Sequence, residues 1–326
     1  MSIVKFLMPV VLLFSITFAV ELRVPAEWEK HEATWMQWPD DYDRSLRLPF
    51  SQIIKIVQQY ERVHLIVRNI QEKKSAKQFL KRYDVDTNNI TWHTLATNNA
   101  WLRDNGPVYV KKGKEIFLYN FGFDAWGGNF GNDVEFLDDD KVPNYIAKYL
   151  DKKVIKKLDY ILERGNLEFN GEDILVLNWD CQDDRNPNLS QDEHEAILKE
   201  SFGVKKIIWA YGHHPDDGTT GHIDGTARFI NKSTLVITDY DAQTERDLAR
   251  EAKKAGLIVK WYPGDPNWLV GNGYVIAMSD GDESFDRELE ELLSSYFPNR
   301  DVYMIDGSAI AKAGGGIHCL TNDQPK

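Results

Sequence analysis

Gly221-His222-Ile223-Asp224 follows Leu162-Glu163-Arg164-Gly165, which follows Trp101-Leu102-Arg103-Asp104, so that Asp104, Glu163 and His222 recur at an interval of 59 residues. A fixed interval of this length suggests a structural unit used repeatedly, each copy delivering one reactive side chain to a common centre. The chain then ends in Gly314-Gly315-Gly316-Ile317-His318-Cys319 and a short tail. The spacing therefore predicts a ring of similar α/β units with a site at its middle.

The pattern between these stretches agrees. Amphipathic helices are predicted over 49–62, 71–83, 142–150, 190–202, 244–256 and 284–296, the fourth opened by the capping box Ser190-Gln191-Asp192-Glu193. Strand-like runs fall at 33–38, 63–68, 90–95, 116–121, 174–177, 206–209, 234–238, 257–261, 274–278 and 302–305. No Pro-, Ser- or Gly-rich linker divides residues 20–326, which read as a single domain. Residues 1–19 read as a secretory signal peptide: Lys5 precedes the apolar run Phe6 to Val20, and Thr17-Phe18-Ala19 offers a small-residue cleavage site. The run is shorter than the ~20 residues of a membrane span. The expectation is export to the periplasm or medium with no stable membrane association after cleavage, or a cytoplasmic protein if the segment is unused.

The net charge of −12 argues against nucleic acid, which needs a basic face, and favours a cationic partner. Ten Trp are present; Trp35, Trp38, Trp101 and Trp126 lie near Gly, Pro or charged residues and are candidate walls for an organic cation. The two cysteines, Cys181 and Cys319, allow two exclusive readings: one disulfide suited to export, or a free thiol at Cys319.

Residue by residue, the stretch from Gly221 to Phe229 reads as extended, which would project His222 and Asp224 into one space, the carboxylate for a cation and the imidazole for protons. A metal site or a buried hydrogen-bonded pair is the competing reading. The three glycines before His318-Cys319 allow close backbone approach, and in a strand only one of His318 and Cys319 could face the site. Trp101 to Pro107 sets an aromatic face and Asp104 beside a Gly-Pro turn; a surface pair between Arg103 and Asp104 is the bland alternative.

Together, His31-Glu32-Ala33-Thr34-Trp35-Met36-Gln37-Trp38-Pro39, the stretch Trp101 to Pro107, Ala125-Trp126-Gly127-Gly128, Leu162-Glu163, Arg185-Asn186-Pro187-Asn188-Leu189-Ser190, Gly221 to Asp224 and Gly314 to Thr321 resemble the agmatine deiminases and bacterial-type peptidylarginine deiminases, within the guanidino-group-modifying enzymes. The resemblance implies the pentein fold, a five-bladed α/β-propeller with pseudo-fivefold repeats. It also implies Cys319 as nucleophile, His222 as acid and base, Glu163 as its orienting carboxylate, and Asp104 and Asp224 as guanidinium-binding carboxylates. Trp101, Trp126, Asp217 and Asn267 are the expected substrate contacts, Asp217 for a distal amine and Asn267 as the offering of the repeat between His222 and Cys319.

The implied reaction converts agmatine to N-carbamoylputrescine and ammonia, with no metal or organic cofactor; protein-arginine citrullination is the alternative, with an arginyl peptide as substrate and Arg164 or Arg103 reading its carboxylate. A homo-oligomer is compatible with either. The chain departs from the family pattern at Arg164, where a second glycine is usual, at Asp265-Pro266-Asn267-Trp268, and in a shortened segment before Cys319. A zinc hydrolase built on His222, Asp224, His318 or Cys319 lacks any tight ligand motif. A non-enzymatic polyamine or peptide binding module is the remaining reading.

Overall fold

A computed structural model describes residues 21–131, 134–240 and 242–326; the expected signal peptide lies outside them. Strand β1 (Leu22–Arg23) edges the second of five sheets, and β2 (His31–Gln37), β3 (Arg62–Val67) and β4 (Ile90–Thr94) run parallel in the first. The second is built from β5 (Val108–Lys112), β6 (Glu115–Gly122) and β7 (Val154–Ile161), with β1 antiparallel to β5. The third holds β8 (Glu168–Phe169), β9 (Ile174–Asn178) and β10 (Lys206–Ala210). The fourth holds β11 (Ala227–Asn231), β12 (Thr234–Thr238) and β13 (Ile258–Tyr262). The fifth holds β14 (Leu269–Gly271), β15 (Tyr274–Ser279) and β16 (Asp301–Asp306).

Each sheet repeats one scheme: a first strand antiparallel to the second, then a helical crossover to a third strand parallel to the second. The first sheet obeys it only because β17 (Thr321–Pro325), from the end of the chain, pairs antiparallel with β2. That pairing closes the ring of five blades, the pentein architecture.

The crossover helices bury their apolar stripes on the sheets. In the first blade, Phe50, Ile53, Ile54 and Val57 of the helix Arg47–Val57 join Leu65 and Val67 of β3. In the fourth, Leu248, Ala249 and Ala252 of the helix Gln243–Lys254 meet Leu235 and Ile237 of β12. In the third, Leu198 and Phe202 of the helix Gln191–Phe202 cover Leu175 and Leu177 of β9. Burying such side chains is worth roughly 1.5–3 kcal/mol each, and this stripe is what the sequence pattern reports.

The expected helices and strands are all present within a few residues. The sequence pattern missed the inner strands β5, β8, β14 and β17, together with β1 and β7, and caught β11 only in part, through the extended reading of Gly221 to Phe229. Two or three residues, as in β8 and β14, carry no period. β17 has the opposite problem, for Thr-Asn-Asp-Gln-Pro reads as loop. Most of it is nevertheless buried, and two of its side chains are held by partners from elsewhere: Trp35 Nε1 donates to Gln324 Oε1 at 2.8 Å, and Arg103 Nη1 donates to Asp323 Oδ1 at 2.8 Å.

Candidate active site

The five inner strands begin at Val108, Glu168, Ala227, Leu269 and Thr321, and the chain enters four of them, all but the strand at Leu269, through a short helix or 3-10 turn. These entrances carry Asp104 on the short helix Leu102–Asn105, Glu163 before the 3-10 turn Arg164–Asn166, and His222 and Asp224 at the turn Ile223–Gly225. They also carry Asn267 before β14 and Cys319 on the turn His318–Leu320. Each blade delivers at least one such side chain, and the fourth delivers two.

His222 Nε2 lies 2.8 Å from Glu163 Oε2, and its Nδ1 lies 3.6 Å from Asp104 Oδ1 with no hydrogen-bond partner among the described residues. Arg185 Nε donates to Glu163 Oε1 at 2.8 Å. Asp104 accepts the indole N–H of Trp126 at 2.9 Å on Oδ2 and the amide of Gly165 at 3.2 Å on Oδ1. A Cβ at Gly165 would stand 2.4 Å from His222 Nδ1 and 2.7 Å from Asp104 Oδ1, so only glycine lets the imidazole and carboxylate meet here.

Across from this group, Cys319 Sγ lies 3.8 Å from Asp224 Oδ2 and accepts from Asn267 Nδ2 at 3.3 Å. Asp224 Oδ2 is also 2.7 Å from His318 Nδ1, and His318 Nε2 is 2.7 Å from Glu27 Oε2. Glu27 is held in turn by Arg228 Nη2 at 2.6 Å and the amide of Val270 at 2.7 Å. Gly315 and Gly316 give the close approach expected of them: an added Cβ would fall 2.5 Å from the Trp101 ring and 2.2 Å from Asn267 Oδ1.

The electrostatics differ from group to group. Burial opposes the charge on His222, but Asp104, Cys181 and Glu163 outweigh it and raise the imidazole well above its usual 6.5. Burial alone would raise Glu163, yet hydrogen bonds and charge from His222 and Arg185 lower it. Asp224 is likewise lowered against burial by His318, with smaller help from His222 and Arg228. Asp104 is raised to about 6 by burial, which the attraction of His222 offsets only in part. Burial and the carboxylates of Asp224 and Asp104 push the Cys319 thiol well above 9.0.

Cys319, Asp104, Trp101 and Trp126 line a cavity of about 960 Å³. Among the described residues lining it, Asp40, Asp43, Asp104 and Glu135 face one cation, Lys312. The cavity is acidic, as the composition suggested.

Several expectations are corrected. His222 and Asp224 do not share one face of a strand, because the chain turns at Ile223–Gly225; His222 instead meets the Asp104 group and Asp224 the Cys319 group. His318 and Cys319 sit on a turn, not a strand, and both touch Asp224. Asp217 spends both oxygens on its own loop, accepting from Thr219 N at 2.9 Å and Gly221 N at 2.9 Å, and the cavity wall takes Thr219 instead. Asn267 bonds the sulfur of Cys319 and the amide of His318, which makes it a holder of the His318–Leu320 turn and not a free reader of substrate. Trp35 and Trp38 are core residues. Cys181 and Cys319 are both free, so the disulfide reading falls.

Arg103 and Arg164 both bind Asp323, at 2.8 and 2.7 Å, and neither lines the cavity; Arg103 does not pair with Asp104. Glu27 had no signal in the sequence of its own, Cys181 was expected only as a disulfide partner, and Arg185 lay inside one of the family-like stretches without a role.

Residues 23–260 and 266–325 match the Porphyromonas-type peptidyl-arginine deiminase family. The chain belongs to this family. Relatives within reach include the agmatine deiminase of Pseudomonas aeruginosa, 29% identical over 93% of this chain and 95% of that one. The agmatine deiminase of Stutzerimonas stutzeri is 30% identical over the same shares, 93% and 95%. Among solved structures, the substrate-bound agmatine deiminase of C. jejuni superposes with a TM-score of 0.82 at 25% identity, covering 94% of this chain and 96% of that chain.

Proposed function

We propose that this protein is an agmatine deiminase-type hydrolase, converting a guanidino substrate to a ureido product and ammonia through a covalent amidino-cysteine. The observation that carries this reading is the convergence of Cys319, the His222–Glu163 pair and the carboxylates Asp104 and Asp224, brought together by four turns of the ring beside the acidic cavity that Cys319 and Asp104 line.

A guanidinium is a flat, delocalised cation and a poor electrophile, so it needs forked acceptors and a soft nucleophile. Asp104 and Asp224 supply the acceptors. The empty site disfavours the Cys319 thiolate because two carboxylates face it. A bound guanidinium cancels that charge, so the substrate promotes its own nucleophile and the thiol proton leaves to solvent. Sulfur attack on the central carbon gives a tetrahedral adduct. His222, charged at neutral pH, donates its Nδ1 proton to the departing nitrogen and ammonia leaves. The neutral imidazole then takes a proton from water, which attacks the amidino carbon; collapse of that adduct frees the ureido product and restores the thiol. Glu163, fixed by Arg185, keeps the ring oriented throughout.

Agmatine is favoured over a C-terminal arginyl peptide because the cavity is lined by carboxylates while Arg103 and Arg164 both pair with Asp323 outside its lining. The cavity's size, about 960 Å³, supports arginyl peptides as the second reading. The test is ammonia release from agmatine, free arginine and arginyl peptides, with Cys319→Ser as control. Turnover of agmatine alone supports the first reading. Citrullination of a peptide with agmatine inert overturns it in favour of the second, and no ammonia from any of them removes both.

A further inference from the structure

Behind His222 lies a cysteine that the proposed chemistry does not use. Cys181 is buried, and its Sγ lies 3.6 Å from Glu163 Oε2, the same oxygen that meets His222 Nε2 at 2.8 Å. One ligand atom from each of Glu163, Cys181 and His222 falls within 4.8 Å of the others. We propose that this trio is an inhibitory site for a thiophilic divalent cation of the zinc type, which switches the enzyme off by capturing the imidazole from behind.

The donor set suits such an ion. Zinc takes sulfur, imidazole nitrogen and carboxylate oxygen at ~2.0–2.3 Å, so tetrahedral ligand atoms stand roughly 3.3–3.8 Å apart. The Cys181–Glu163 pair already stands at 3.6 Å, the Glu163–His222 contact must open from 2.8 Å, and the Cys181–His222 pair lies within 4.8 Å. Charge balances as well: the Cys181 thiol and the charged His222 each release one proton to solvent. The thiolate and the Glu163 carboxylate then neutralise the divalent ion, and water completes its coordination. His222 bound through Nε2 keeps its remaining proton on Nδ1 and can no longer become an imidazolium. It can then neither protonate the leaving ammonia nor accept a proton from water. Because all three ligands are buried, inhibition develops on pre-incubation.

The inhibitory consequence rests on the deiminase reading, whereas the binding does not, so the experiment measures both. Metal-free full-length protein is titrated with Co²⁺, whose thiolate complexes show a sulfur-to-metal charge-transfer band. The wild type and Cys319→Ser develop the band, and Cys181→Ser does not. In parallel, Zn²⁺ inhibits ammonia release from agmatine, and the half-inhibiting concentration rises at least tenfold in Cys181→Ser, each protein being compared with its own metal-free rate. Melting temperatures establish that each variant is folded, and Cys181→Ala replaces the serine variant if that one is not. A band that survives in the Cys181 variant, a band lost in Cys319→Ser, or equal zinc sensitivity overturns the proposal. If the bands behave as stated while no guanidino compound yields ammonia, the metal site stands and the deiminase reading fails.

Discussion

The two sides of the site, centred on His222 and on Cys319, are built on opposite electrostatic plans. On one, His222 is sandwiched between Glu163 and Asp104, with Arg185 behind Glu163, so the imidazolium is favoured before anything binds. On the other, Cys319 faces Asp224 and Asp104 from a buried position, and its thiol is held protonated. On the proposed mechanism, the proton carrier is ready in the empty enzyme and the nucleophile waits for a cation. The two carboxylates share this asymmetry. Asp224 has His318 at 2.7 Å and stays ionised, whereas Asp104, raised to about 6, depends on substrate to complete its charge.

The strongest way to break this picture is to remove the sulfur. Cys319→Ser should lower ammonia release by about 10⁴-fold or more, measured in single-turnover assays, and rapid turnover by that variant would end the covalent route. Disarming the opposite wall should cost less. Glu163→Gln leaves the ring in place but withdraws the charge that favours imidazolium, and a loss of roughly 10²–10⁴-fold in kcat with little change in KM is expected. A KM effect alone would move Glu163 to substrate binding.

The two aspartates can be told apart by pH. For the free enzyme, Asp104 must be ionised to accept a guanidinium, so kcat/KM should fall as pH drops through about 6, and Asp104→Asn should abolish that limb. Asp224, already lowered, should contribute no limb in the same range.

The same shift has a stability signature. The Asp104 carboxyl binds its proton more tightly in the folded state, about 6 against 3.8, so the empty protein loses stability as pH rises from about 4 to about 6. At pH ~7.5 the deficit is about 3 kcal/mol, and Asp104→Asn should recover part of it in urea melts, with the gain vanishing below pH ~4. No gain at neutral pH would mean that the carboxylate is better solvated than its burial implies.

The smallest effect serves as a control remote from both walls. Ser190→Ala removes the side-chain acceptor of the capping box that opens the helix Gln191–Phe202, and should cost ~1 kcal/mol of stability with kcat unchanged. A change in kcat here would show that the third blade's outer helix communicates with the site.

The outer layers were legible because hydrophobic stripes such as Phe50, Ile53, Ile54 and Val57 have a period that sequence displays directly. The capping box at Ser190 was legible for a similar local reason. The inner strands were not, since β8 and β14 are too short for a period and β17 owes its buried polar residues to Arg103, Arg164 and Trp35 from elsewhere. The reading of Asp217 failed for the same reason: a carboxylate near a cavity looks available until its own loop is seen to use both oxygens.

By itself, the sequence determined the residue types of the chemistry and the interval that brings Asp104, Glu163 and His222 to three successive blades, because spacing and side-chain chemistry are local properties. Tertiary structure alone decided that the thiol would face two carboxylates, and that Arg103 and Arg164 would be spent on Asp323. It alone set Cys181 and Arg185 behind the base. Charge state follows from burial and from neighbours within a few ångströms, and those neighbours come from blades far apart along the chain.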